Sequence, residues 1–191
     1  MTTFTLNLEP TIQLTDEQFY QLCQQNRDLK FERTVTGELI IMPPTGGETG
    51  RSNFEIAVEL GIWNRKTQLG VAFDSSTGFH LPNGADRSPD AAWIKREKWE
   101  ALTPEQKQKF PPLCPDFVIE LLSPSDPLKN TQEKMHEYIN NGALLGWLIN
   151  RHQKTVEIYR PHQTVEILTS PGTLSGENML PGFILNLDKI W

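Results

Sequence analysis

Apolar residues recur at helical spacing in three parts of the chain. The capping-box sequence TDEQ at residues 15–18 precedes the first part and predicts a helix over about 16–26. Asp126 followed by proline is a typical helix start and predicts another helix, which ends at Asn141 before a glycine. The remaining part predicts a helix over about 51–66 with one side buried. The apolar stripe on that side consists of Phe54, Ala57, Val58 and Gly61.

Strand-like runs lie before, between and after these helices. Residues 116–122, DFVIELL, are almost wholly apolar, as expected of a central strand that is covered on both faces. Turn-rich sequences separate three short runs between residues 70 and 94, which predicts a meander. A proline after Thr103 predicts one more short, capped helix. The other predicted strands are a hairpin at 30–34 and 38–42, the meander runs at 70–74, 78–81 and 90–94, and C-terminal runs at 145–149, 155–159, 165–168 and within 183–191.

This order of elements favours an α/β fold, with a mixed central β-sheet flanked by helices. The length of 191 residues predicts one domain over 1–191. No run approaches the roughly 20 apolar residues that cross a bilayer, and residues 1–10 do not resemble a secretion signal. We therefore expect a cytoplasmic protein with no membrane partner. Cys23 and Cys114 are far apart and predict neither a disulfide nor a structural zinc site.

The formal net charge is −6, whereas a protein that holds DNA by counterion release usually shows a basic face. Small basic clusters at 65–66, 95–98 and 107–109 are interleaved with acids or glutamines, which is typical of solvated helix faces. The four histidines lack the spacing of a zinc hydrolase, and no glycine-rich loop has the pattern of a nucleotide-binding motif. Composition and motifs thus favour neither a zinc enzyme nor a nucleotide cofactor.

Glu120 is a carboxylate inside the apolar central run. Burying it ionised and unpaired would cost several kcal/mol, so it needs a cation or a proton. Strand alternation places Asp116 on the same face, but Asp116 lies at the strand entrance and Glu120 near the exit, where α/β sheets usually assemble sites. The structural alternative is an ion pair between Glu120 and a lysine or arginine.

Asp90 is a second carboxylate at the start of a predicted strand, directly after Pro89. Taken alone, an aspartate after proline is a common turn or strand-start residue. Two acids on neighbouring strands, however, could share one Mg²⁺, which prefers carboxylates and retained waters. Asp90 therefore becomes a candidate through its pairing with Glu120.

Pro89 and Asp90, followed by Glu120 in an apolar strand, resemble the PD-(D/E)xK nuclease superfamily. Nearly the whole chain is similar to one branch of it, the Uma-two family of restriction endonucleases. The resemblance implies a restriction-endonuclease-like fold. The sequences that carry it are RSPDAAW at 87–93, CPDFVIELLSPSD at 114–126 and KMHEYINNG at 134–142.

The chain departs from the superfamily pattern at Leu122, where the motif lysine would stand. Lys134 can replace that lysine if the following helix folds back beside Glu120. The outward path to Asp126 is about 20 Å at most, and the return along the helix is about 12 Å, so the two side chains can meet. The alternative is a lysine at the surface whose stem lies along the apolar stripe. We favour Lys134 over Lys129, which lies nearer the helix start.

The resemblance also implies that an acidic residue of an early helix can contribute to the site. Glu55 is our candidate, with Glu38, Glu48 and Glu59 as alternatives. Most glutamates on a helix flank are simply solvated.

Two hypotheses of different classes follow. In the first, Asp90 and Glu120 hold Mg²⁺ or Mn²⁺, Lys134 orients the attacking water, and the protein is an endonuclease that cleaves nucleic acid, with DNA as the expected substrate. In the second, the fold is a catalytically silent or regulatory module, which the acidic net charge favours. A homodimer, expected from the resemblance, could supply the missing basic surface.

Overall fold

The computed structural model describes residues 3–123 and 126–191, and it alternates strands with five helices in those ranges. The helices are α1 (Asp16–Gln25), α2 (Gly47–Thr67), α3 (Arg96–Glu100), α4 (Pro104–Gln108) and α5 (Leu128–Asn140). The strands are β1 (Phe4–Leu6), β2 (Lys30–Arg33), β3 (Leu39–Met42), β4 (Gly70–Asp74), β5 (Phe79–His80), β6 (Asp86–Arg87), β7 (Ala91–Lys95), β8 (Phe117–Leu121), β9 (Leu145–Asn150), β10 (Thr155–Tyr159), β11 (Glu166–Thr169), β12 (Thr173–Ser175) and β13 (Ile184–Asn186).

A six-stranded sheet in the order β11-β10-β9-β8-β7-β4 forms the centre of the fold. Its strands β8 and β9 pair in parallel and the others pair antiparallel, so the sheet is mixed, as predicted. A second sheet has the order β1-β3-β2-β6-β5 and contains the predicted hairpin of β2 and β3. Strands β12 and β13 form a separate pair near the C-terminus.

The predicted meander is wrong. Strand β4 pairs directly with β7 over five residues, from Gly70 opposite Lys95 to Asp74 opposite Ala91. The chain between them leaves the central sheet, and its two-residue strands β5 and β6 join the second sheet instead. Turn signals marked the breaks between these strands correctly, but they carry no information about which strands pair.

Strand β8 is buried along its whole length because the central sheet is covered on both faces. Phe117, Ile119 and Leu121 pack into a core with α2 and the C-terminal segment. Val118 and Leu122 point to the opposite face and pack with residues of α5. This alternation places Glu120 on the α5 side of the sheet.

Helix α2 starts one turn earlier than predicted and buries a different stripe. Phe54, which the pattern placed in the core, is 66% exposed, whereas Ile56 is fully buried. The helix is apolar on several sides, so spacing alone did not identify the buried one. The side that faces the sheet carries Ser52, Ile56, Leu60 and Trp63.

Helix α5 begins after the expected start, because Pro127 rather than Asp126 is its N-cap. It ends at Asn140, and Gly142 follows with a φ of 108°, as expected of a glycine that closes a helix. Met135 and Tyr138 form its buried side. The predicted capping box of α1 is present, and the predicted capped start of α4, with Pro104 in the first turn, is present and also forms a capping box. Within 3–123 and 126–191, no helix combines the length and apolar character of a membrane span.

Candidate active site

The pairing of β7 with β8 brings Asp90 and Glu120 to neighbouring positions. Ala91 lies opposite Ile119 in the antiparallel register, so the next residues outward are Asp90 and Glu120. Side chains at opposite positions of an antiparallel pair project to the same face of the sheet. The proximity that the sequence suggested for these two acids is therefore a consequence of strand register.

Asp90 is fixed through both carboxylate oxygens. The backbone N–H of Leu121 donates to Oδ2 at 2.8 Å, which ties Asp90 to the strand of Glu120. The side-chain amide of Asn53, from the first turns of α2, donates to Oδ1 at 2.9 Å. The other end of that amide, Asn53 Oδ1, is buried and accepts no hydrogen bond from the described residues.

Glu120 is 7% exposed and lies beside Asp90 on the α5 face of the sheet. Its Oε1 accepts hydrogen bonds from the Tyr138 hydroxyl at 3.0 Å and the Lys134 ammonium at 2.8 Å. Burial raises the pKa of Glu120 well above its ordinary value, and the negative charges of Asp90 and Glu32 raise it further, whereas Lys134 opposes the change. The site therefore disfavours the ionised form of Glu120, and Lys134 offsets this only in part.

Lys134 lies where the returning helix was expected to place it. Only 15% of its side chain is exposed, and its ammonium reaches both Glu120 and Glu32. Burial acts to lower the pKa of Lys134, but the two carboxylates outweigh it and hold that pKa above the usual range. Lys134 is therefore a cation at any physiological pH. The alternative of a surface lysine does not describe this contact.

Glu32 of β2 is a site residue that the sequence analysis missed. One of its oxygens accepts from Lys134 at 2.7 Å and from the backbone N–H of Ser88 at 2.9 Å. The other accepts from Arg87 at 3.2 Å. Burial acts to raise the pKa of Glu32, but the nearby cations, led by Lys134, hold it below its usual range. The available signal was a glutamate inside a predicted strand, where this residue type is depleted.

Asp126 is a further acid near the pair, and its expected role as a helix cap is wrong. Burial raises the pKa of Asp126, and the negative charge of Asp90 raises it further. Its side chain also forms a hydrogen bond with Thr3, near the N-terminus. Asp126 thus adds to the excess of carboxylates at this edge of the sheet.

The structure does not bring Glu55 to this cluster. The contact of Glu55 is with Lys189 at 3.8 Å, near the C-terminus, and the residue of the same helix that contacts Asp90 is Asn53. Asp116 likewise has a separate role at the entrance of β8. It is fully buried, pairs with Lys98 at 2.7 Å and accepts from the backbone N–H of Lys95 at 2.8 Å.

The donor set suits a hard divalent cation. Within residues 3–123 and 126–191, no three His, Cys, Asp or Glu side chains are already arranged as a metal site. Carboxylates on adjacent strands are nevertheless the ligands that Mg²⁺ and Mn²⁺ prefer, and Mg²⁺ usually completes its shell with water. The orphaned Oδ1 of Asn53 beside Asp90 could accept a hydrogen bond from such a water. Burial, with the nearby charges of Asp90 and Glu32, raises the pKa of Glu120, and a bound cation would favour its ionised form.

Comparisons with known proteins agree with the fold. A family model named Uma2 and described as "Putative restriction endonuclease" matches residues 16–188. Among solved structures, the chain is similar to one titled a putative nuclease belonging to DUF820, from Anabaena variabilis. The two share 19% sequence identity with a TM-score of 0.71, over 84% of this chain and 88% of the other. The search of curated proteins returned no match.

Proposed function

The chain belongs to the Uma2 family, and from that premise we propose that it is a metal-dependent endonuclease that hydrolyses phosphodiester bonds of nucleic acid, with DNA as the expected substrate. The observation that carries this proposal is the meeting of Asp90 and Glu120 on adjacent strands with Lys134 2.8 Å from Glu120. Two acids and a lysine beside a phosphodiester are the groups that metal-assisted hydrolysis requires.

Asp90 and Glu120 would hold a Mg²⁺ or Mn²⁺ ion. When bound, the ion would polarise the scissile phosphate and lower the pKa of a coordinated water. Asp90 is oriented for this role by Leu121 and Asn53, which leaves its carboxylate little freedom to rotate.

Lys134 would orient the attacking water and offset the charge that develops on the phosphate. Because the neighbouring carboxylates keep it protonated, it acts as a hydrogen-bond donor and not as the base that removes the water proton. Tyr138, which donates to Glu120 and is fully buried, would hold that carboxylate in place.

Cleavage assays with purified protein test this proposal. Plasmid and single-stranded DNA should be cut in the presence of Mg²⁺ or Mn²⁺, and Asp90→Asn or Glu120→Gln should slow cleavage by about a hundredfold or more. Lys134→Met should do the same. Its matched control is Lys129→Met on the same helix, because Lys129 is 84% exposed and pairs with its helix neighbour Glu133 at 3.7 Å.

The competing function is a catalytically silent or regulatory module that acts by binding. Cleavage that survives both acidic changes would reject the proposed site. No calorimetric binding of Mg²⁺ or Mn²⁺ to the native protein, together with no cleavage, would favour the silent module. The homodimer remains a separate prediction that light scattering in solution would check, and Glu55→Gln in the same assay would test the remaining predicted site residue.

A further inference from the structure

Glu32 comes from the second sheet, yet its side chain lies closer to the lysine of the site, at 2.7 Å, than to Arg87 of its own sheet, at 3.2 Å. We infer that Glu32 is a positioning residue: it holds Lys134 midway between two carboxylates and so prevents Lys134 from neutralising Glu120. The consequence of Glu32 for catalysis rests on the proposed function, whereas its effect on Glu120 does not.

The distances show that the ammonium is shared. Lys134 Nζ lies 2.7 Å from Glu32 Oε1 and 2.8 Å from Glu120 Oε1, so neither acid holds it alone. The Glu32 side chain is 3% exposed and is fixed by the backbone N–H of Ser88, two residues before Asp90. One carboxylate therefore sets the position of Lys134 and of the segment that leads into Asp90.

The charges around Lys134 explain why a second acid is needed. The groups that face it are Glu120 from β8, Glu32 from β2, Arg87 from β6, Asp126 just before α5 and, on its own helix, Tyr138, whose ring lies 5.8 Å away. Without Glu32, Lys134 would form a simple ion pair with Glu120. A carboxylate in such a pair is already neutralised, so a metal ion would have to compete with the lysine for it.

Arg87 does not supply the positive charge that Glu120 lacks. It donates to Glu137 of α5 as well as to Glu32, so its charge is already used by those two acids. Glu120 therefore shares the Lys134 ammonium with Glu32, accepts a hydrogen bond from the Tyr138 hydroxyl and is repelled by the charge of Asp90. This is the condition in which a carboxylate retains affinity for an added cation.

Glu32→Gln tests the inference, because glutamine is nearly isosteric and can still accept from Ser88. In a crystal structure of the metal-free variant, the Lys134 ammonium should leave its position midway between the two side chains and pair with Glu120 alone, since the negative charge at residue 32 is lost. Mn²⁺ affinity at pH 8 should fall about tenfold, and Glu32→Asp, which keeps the charge, should recover part of both. Glu157→Gln is the matched control: Glu157 is also buried, at 7% exposed, and accepts hydrogen bonds from the neutral groups of Gln132 and Tyr159.

A folded Glu32→Gln protein in which Lys134 keeps its position midway between residues 32 and 120 would overturn the inference, and so would an equal loss of Mn²⁺ affinity in Glu157→Gln. If Glu32→Gln fails to fold, Glu32→Asp takes its place, because its shorter side chain should leave Lys134 nearer Glu120 and lower Mn²⁺ affinity by a smaller amount. An unchanged position of Lys134 in that variant overturns the inference. If Glu32→Gln shows these changes but the wild-type protein cuts no nucleic acid, the proposed function is rejected and the role of Glu32 stands.

Discussion

Glu120 is disfavoured as an anion because burial removes its hydration and because Asp90 and Glu32 repel it, while Lys134 compensates only in part. Its pKa is therefore higher in the folded than in the unfolded chain. Such a carboxyl favours the folded state most when it is protonated, and this advantage is lost as pH rises from the unfolded pKa through the folded one. At pH 8 the residue that we place at the centre of the chemistry should lower the stability of the fold.

Glu120→Gln should consequently abolish cleavage without destabilising the protein. We expect its free energy of unfolding at pH 8 to equal the wild-type value or exceed it by roughly 1–2 kcal/mol, since glutamine can keep the hydrogen bond from Tyr138 without the charge. Near pH 4 the two proteins should differ less, because Glu120 is then protonated in the folded wild type. Urea unfolding at both pH values measures this. A variant less stable than wild type at pH 8 would show that Lys134 fully stabilises the anion.

Sequence reasoning found the site residues whose signal is local and missed those that depend on long-range contacts. Glu120 was found because a charge in an apolar strand needs a partner. Lys134 was found through the family resemblance, and helix geometry showed only that it could return to that strand. Glu32 and Asn53 contact their site partners across 102 and 37 residues, and nothing in their own neighbourhoods records those contacts. Asp126 was assigned to a helix cap because aspartate before proline has that meaning in most sequences.

Helix α2 shows the corresponding limit at the level of an element. Its existence and approximate length were predictable from helical periodicity, but its orientation was not, since Phe54 and Ile56 lie on different sides and both are apolar. In the folded protein, the side with Ile56, Leu60 and Trp63 packs against the central sheet. The same orientation aims Asn53 at Asp90, so the packing of this helix also builds the site.

A pair of truncations in α2 would separate the two orientations. Ile56→Ala should lower the free energy of unfolding by about 2–5 kcal/mol, because Ile56 is fully buried and its loss leaves a cavity. Phe54→Ala removes a larger side chain, but that side chain is 66% exposed, and the change should stay within about 0.5 kcal/mol. Urea denaturation of the two variants gives the comparison. If Phe54→Ala were the more destabilising change, the buried side of the helix would be the one that the sequence pattern suggested.

At the scale of the whole molecule, charge distinguishes this protein from a typical nucleic-acid binder. The formal net charge is −6, and the acids Asp90, Glu120, Glu32 and Asp126 are gathered at one edge of the central sheet. A phosphodiester approaching that edge meets like charge, so binding and cleavage should both require a divalent cation. The fold class was predictable from the order of elements, but this concentration of charge was not, because it arises where two sheets and two helices meet.

Divalent cations that bind at this edge should therefore raise the melting temperature of the whole protein. A ligand at a hundred times its dissociation constant stabilises a fold by about 2.7 kcal/mol, which for a chain of this size is roughly 5–10 °C. The shift should be larger at pH 8 than at pH 5.5, because the cation must displace a proton from Glu120, whose pKa is raised.

Calorimetry with Mn²⁺, compared with NaCl at the same ionic strength, isolates the site from general screening of the negative charge. Asp90→Asn and Glu120→Gln should lose the shift specific to Mn²⁺. Glu133→Gln should keep it, because Glu133 is 66% exposed and pairs with Lys129 along its own helix. If the acidic variants gained as much stability from Mn²⁺ as wild type and Glu133→Gln, the cation would be acting on the surface as a whole, and the paired carboxylates would not be its ligands.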